Sequence, residues 1–184
     1  SVYSKSTKHR FMFKFKKFSI IAFFTWSILF TQIVLAQDAI PSAYPTGVAV
    51  NYIRTWDATA PVQQPDTLMN RPLKDVKQVT QYLDGLGRPL QAVAKQASFP
   101  TGGNSKDLVT TFMYDAFGRE HKNYLPFSDS GFNGNFKTNP FQQQATFIGQ
   151  QFSGETWYYS KNNYEPSPAS RISKTMPAGN SWVG

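Results

Sequence analysis

The chain has no cysteine, only two histidines, and charged side chains at just 16% of its 184 residues. Each shortage removes a class of function. Without cysteine there is no disulfide, no thiol nucleophile and no sulfur to carry a lipid anchor. His9 lies in the basic N-terminal stretch and His121 stands between Glu120 and Lys122 in an alternating run, so a transition-metal site lacks its usual ligands. No nucleophile elbow, phosphate-binding loop or dinucleotide fingerprint occurs. The expectation is a protein that is not an enzyme, with no catalytic residue, no metal and no cofactor.

The charges that are present are unevenly placed. Lys5, Lys8, Arg10, Lys14, Lys16 and Lys17 have no acid among them, and residues 18–35 (FSIIAFFTWSILFTQIVL) have no charge at all. A basic start, an apolar run and the small residue Ala36 before Gln37 read as a signal peptide, residues 1–36, cleaved between Ala36 and Gln37. The apolar run is close to the lower length limit for a bilayer span, so an uncleaved anchor is the competing case and the one route to a membrane. The formal charge of +8 belongs mostly to this leader: six of the 19 Lys and Arg lie there, leaving 13 against 11 acids. A balance of +2 is no nucleic-acid footprint, which needs a concentrated basic face. The expected location is outside the cell or on its surface. A first residue that is not Met and an abrupt end at Trp182-Val183-Gly184 suggest a piece of a longer chain.

After an extended segment at 37–47, a β-rich domain is expected over 48–184 and beyond. Val48, Val50 and Tyr52, with Ile53 and Trp56, suit a strand, and the prolines at 61, 65 and 72 mark a surface connection. VTQYL (79–83), RPLQAVAKQ (88–96), LVTTFMY (108–114) and REHKNYL (119–125) are rich in the residues that favour a pleated surface, giving two hairpins in tandem. One short amphipathic helix is predicted from an Asn139 cap and Pro140, with Phe141, Ala145, Ile148 and Phe152 forming one apolar stripe and Gly154 the stop. TWYYS (156–160) reads as a further strand.

Within this pattern a unit recurs. Leu83-Asp84-Gly85-Leu86-Gly87-Arg88 matches Tyr114-Asp115-Ala116-Phe117-Gly118-Arg119, 31 positions later. In a four-residue connection built on a type I turn, Asp accepts bonds from backbone amides ahead of it and Gly adopts the left-handed angle that returns the chain. Arg88 and Arg119 leave the turn beside Asp84 and Asp115, within reach of a charge-assisted bond in their own repeat or the next. A stretched third copy keeps Tyr164-Glu165 and then Arg171, with Pro166 and Pro168 between them, prolines that stand to end or bend the sheet. A lone hairpin is marginal, so repetition implies stacking.

Tyr114-Asp115-Ala116-Phe117-Gly118-Arg119 resembles the YD repeat of the RHS-repeat proteins. The ordered series Asn51-Tyr52-Ile53-Arg54, Gln81 to Gln91, Lys106 to Val109, Tyr124 to Phe127 and Tyr164 to Pro168 resembles the uncharacterised N-terminal domain that precedes those repeats in proteins from Bacteroidetes. The resemblance implies a non-enzymatic opening segment of an exported shell that can enclose a C-terminal toxin. Its implied partners are downstream RHS repeats of the same chain.

Three alternatives can be weighed on residues. Asp84, Asp115 and Asp107 have turn or loop duties, which leaves little for glycosidase-type carboxylate pairing. The run Asp129 to Asn135 (DSGFNGN) offers oxygen ligands without the ordered spacing of a calcium loop. Trp157, Tyr158, Tyr159 and Tyr164 suggest a sugar-stacking platform, and with it a surface adhesin that binds cell-surface glycan.

Overall fold

The computed structural model describes residues 38–98 and 103–182. The expected leader, residues 1–36, and the cleavage expected between Ala36 and Gln37 lie outside the described residues. The strands are β1 (Asn51–Ala58), β2 (Val76–Leu83), β3 (Pro89–Ala94), β4 (Leu108–Tyr114), β5 (Glu120–Tyr124), β6 (Phe127–Ser128), β7 (Tyr159–Tyr164) and β8 (Ile172–Met176). They make one antiparallel, eight-stranded sheet in the order β1-β2-β3-β4-β5-β7-β8, with β6 on β4. The single α-helix described, α1, spans Pro140–Gln151.

Pairing follows the chain almost step by step. β4 is shared: its first residues pair with β3 on one side and with β6 on the other, while Phe112 to Tyr114 pair with β5. β5 and β6 are one strand interrupted at Leu125-Pro126, where proline supplies no ladder donor. The proline-rich connection after β1 contains a short 3-10 helix, Pro65–Asn70.

One face of the sheet is covered. Tyr82, Val93, Val109 and Phe127 form one buried cluster, and Tyr124, Phe141, Ile148, Tyr158 and Tyr159 a second, with Phe147 of α1 packed on both. Alternation along the strands brings Thr80, Gln91, Thr111 and Lys122 inward beside these apolar residues. Gln91 shows how such a polar group is kept satisfied. Its amide donates to the Lys137 carbonyl and accepts from the Lys137 N–H, both at 2.9 Å, so one side chain acts as a strand partner for the segment crossing the sheet.

The helix differs from its expectation in two details. Asn139 makes no side-chain cap and contributes its carbonyl to Gln143 N–H instead. The buried stripe runs through Phe141, Gln144 and Ile148, whereas Phe152 is exposed because the helix stops at Gln151 and Phe152 is its C-cap. Gln144 reaches the Leu125 carbonyl, tying α1 to the strand break. The predicted strand at 156–160 starts late, at Tyr159, because the Trp157 N–H is taken by the Asn180 side chain.

Candidate functional site

The two repeated turns are superposable in their bonding. At the first, the Leu86 and Arg88 N–H groups donate to Asp84 Oδ1, both at 2.8 Å, while Arg88 Nε and Nη2 donate to Oδ2 at 2.8 Å. At the second, Phe117 and Arg119 N–H donate to Asp115 Oδ1 at 2.9 Å, and Arg119 Nε and Nη2 donate to Oδ2 at 2.8 and 2.7 Å. Gly87 and Gly118 have φ of +78° and +77°, and each N–H closes back on the carbonyl of its Asp. The backbone closing bonds are Asp84 N–H to Arg88 O and Asp115 N–H to Arg119 O, so three residues, not four, separate the closing pair. The left-handed glycine turns the next N–H away from the Asp carbonyl, and the carboxylate collects it.

A register shift occurs at the same place in each hairpin, between Tyr82 and Leu83 and between Met113 and Tyr114. The third copy repeats it between Asn163 and Tyr164. There Glu165 N–H donates to Arg171 O and Arg171 Nε donates to Glu165 Oε1 at 2.7 Å. Pro166 and Pro168 lie in the longer loop, and the sheet does not end there, since β8 continues it.

The units are joined by their arginines. The Arg88 guanidinium lies over the Tyr114 ring at 4.6 Å from the centroid, and that of Arg119 lies over Tyr164 at 4.3 Å. Each arginine therefore bonds the carboxylate of its own turn and stacks on the aromatic residue that precedes the turn acid of the next unit. Tyr164 also donates its hydroxyl to Glu120 O across the same junction. In the first unit the corresponding position is Leu83, whose neighbouring strand, β1, brings no turn arginine to it.

These contacts set the electrostatics. Hydrogen bonds from the Arg88 amide, its guanidinium and the Leu86 amide hold the Asp84 carboxyl below the usual carboxylate range. Burial pushes Asp115 upward, but the Arg119 amide and guanidinium outweigh it and the net direction is down. Glu165 is lowered by Ser167 and Arg171.

A second ionic device has no counterpart in the sequence reading. Lys137 Nζ sits 2.8 Å from Asp107 Oδ2, 2.8 Å from Asp129 Oδ2 and 3.4 Å from Asn133 Oδ1. Its side chain is 8% exposed, and Asp107 is fully buried, also accepting from the Gln96 and Gly134 amides. The segment considered for calcium thus wraps an ammonium ion of the same chain, which takes the place a bound cation would occupy. Burial lowers Lys137 and raises Asp129, yet the bonds of Lys137 to Asp107 and Asp129 prevail, leaving Lys137 above and Asp129 below their ordinary values.

The aromatic platform is not assembled. Tyr158 and Tyr159 are buried, Trp157 and Tyr164 are half-buried, and the Tyr164 ring is covered by Arg119. His121 is a half-buried residue of β5. A groove of about 880 Å³ lies between α1 and the loops around Lys106 and Ser130, and its carboxylate, Asp129, is already engaged with Lys137. Among the described residues no group of three His, Cys, Asp or Glu could hold a metal, and no helix is long and apolar enough to cross a membrane.

The model of one family, a domain of unknown function designated DUF6443, matches residues 54–184. The chain belongs to that family. No curated protein and no solved structure matches it. The match starts inside β1 and takes in all three carboxylate-closed turns, so the repeated unit is part of the DUF6443 domain.

Proposed function

We propose that this DUF6443 chain is a non-enzymatic structural domain, the exported N-terminal part of an RHS-type shell protein. Its task is to start an array of hairpins. The observation that carries the proposal is the relay of arginines: each turn clamps its own arginine and presents it to the tyrosine of the next hairpin, a scheme that extends by repetition. Asp84, Gly87, Arg88, Asp115, Gly118 and Arg119 are then register-setting residues. The acids with the most unusual surroundings act in internal clamps, a use that fits scaffold better than catalysis. The basic, then apolar N-terminal stretch fits an exported chain of this kind.

The test is to read the gene downstream of Gly184 and to express this segment both alone and joined to the downstream residues. The proposal expects some hundreds of residues carrying Tyr-Asp and Gly-Arg units, ahead of a variable tail, and better solubility when the pieces are joined. A stop codon after Gly184, together with a stable monomer of residues 37–184, contradicts it.

A further inference from the structure

Among the three turn arginines, exposure rises at the last. The side chain of Arg88 is 36% exposed and that of Arg119 is 23%, each under the ring of the following unit, whereas Arg171 is 77% exposed. The strand that follows it, β8, is paired on one side by β7, and four of its five residues are exposed, with Ile172 among the large apolar side chains open to solvent. Among the described residues no ring stacks on Arg171.

Both internal junctions show what would fit there. The second strand of one hairpin pairs antiparallel with the first strand of the next, β3 with β4 and β5 with β7, and the incoming strand ends in Tyr114 or Tyr164 directly before the turn acid. The linking segments differ greatly, residues 95–107 in one case and 125–158 in the other, so the common recognition elements are strand register and the Arg–Tyr stack.

We propose that the outer edge of β8 docks a further hairpin, whose first strand runs antiparallel to β8 and ends in a tyrosine immediately before a turn Asp or Glu, its ring stacked on Arg171. This rests on the proposed function and adds its partner's recognition code. The occupant is continuous with an interface the chain already makes twice. A second copy of this chain fits less well: stacked head to tail, its β1 would run parallel to β8, and paired β8 to β8 about a two-fold axis it would bring Met176, not a tyrosine, to the Arg171 end of the strand. The array grows in one direction, from β1 to β8.

The probe is the chain's own second hairpin, Leu108 to Tyr124, appended after Gly184 of the full chain through about 15 Gly/Ser residues, enough for roughly 20 Å of reach. Hydrogen exchange of the β8 amides is then followed. The expected result is at least a tenfold slowing of exchange at outward-facing β8 amides, reduced roughly fivefold by Arg171→Met in the host or by Tyr114→Leu in the appended copy alone. Unchanged β8 exchange overturns the proposal, as does protection that ignores both substitutions or that scales with protein concentration, which signals pairing between copies. The outcome is independent of what the gene encodes beyond Gly184, so failure here and failure of the shell reading are separately visible.

Discussion

Two kinds of carboxylate clamp hold this protein, and they do different work. The turn clamps at Asp84 and Asp115 are local, partly exposed and repeated atom for atom, and they aim an arginine outward at the neighbouring unit. The Lys137 clamp is buried, has no second instance among the described residues, and gathers Asp107 and Asp129 to pin a segment across the sheet face. Removing charge from the first should weaken communication between hairpins, and from the second should loosen the fold itself, because a carboxylate stranded in a dry site is costly while one at the surface is rehydrated.

The largest effect is therefore expected at Lys137. Lys137→Met leaves Asp107 and Asp129 buried without their cation, and should cost about 3 kcal/mol, a fall in Tm of about 6–12 °C. Thermal unfolding followed by circular dichroism measures it. A smaller, signed effect should appear with acid. Asp129 has a depressed pKa in the folded state, so it contributes stability above its unfolded value near 4, and that contribution is lost as pH falls through the folded value. Urea midpoints at pH 7 and pH 3 should show the wild type losing more than Lys137→Met, in which only the Gly131 and Ser130 amides remain to oppose the burial of Asp129.

The glycine pair sharpens the contrast between a turn and a junction. Gly87 and Gly118 share the same left-handed backbone, but a Cβ at Gly87 meets nothing, whereas one at Gly118 comes within 3.0 Å of Arg88 Nη1. Gly87→Ala should cost about 1 kcal/mol of backbone strain and Gly118→Ala about 2, the excess arising from displacement of the inter-hairpin arginine. Equal denaturant midpoints would dissolve the distinction. The smallest effect is expected from Arg171→Ala, whose guanidinium is bonded to Glu165 in open solvent; its Tm should match the wild type to within about 1 °C.

The same contrast explains what could be read from the sequence. Every determinant of the first two turn clamps lies within five residues, Asp first, left-handed Gly fourth and Arg fifth, so residues 84–88 and 115–119 announce their geometry, whereas residues 165–171 keep only the acid and the arginine, seven residues apart end to end, with Ser170 in the left-handed position. The arginine's second partner was less legible, because Tyr114 and Tyr164 meet it only through sheet order. Lys137 was missed since nothing local marks it: its partners are 30 and 8 residues away, and the intervening Gly and Asn resemble an ordinary surface loop. Gly131 and Gly134 carried what signal there was, since a Cβ at Gly131 would stand 2.9 Å from Lys137 Nζ and one at Gly134 2.9 Å from Gln78 Nε2. The adjacent Trp157, Tyr158 and Tyr159 suggested a platform because aromatic composition does not reveal which face is covered; α1 and Tyr124 cover it.

The central claim is that neighbouring hairpins are energetically coupled through arginine and tyrosine. A double-mutant cycle on Arg88→Met and Tyr114→Leu measures this directly, since the Asp84 bond lost with Arg88 cancels between the two legs. The account predicts a coupling of about 0.5–1 kcal/mol in urea unfolding, whereas additivity within about 0.3 kcal/mol would mean that the hairpins merely lie side by side.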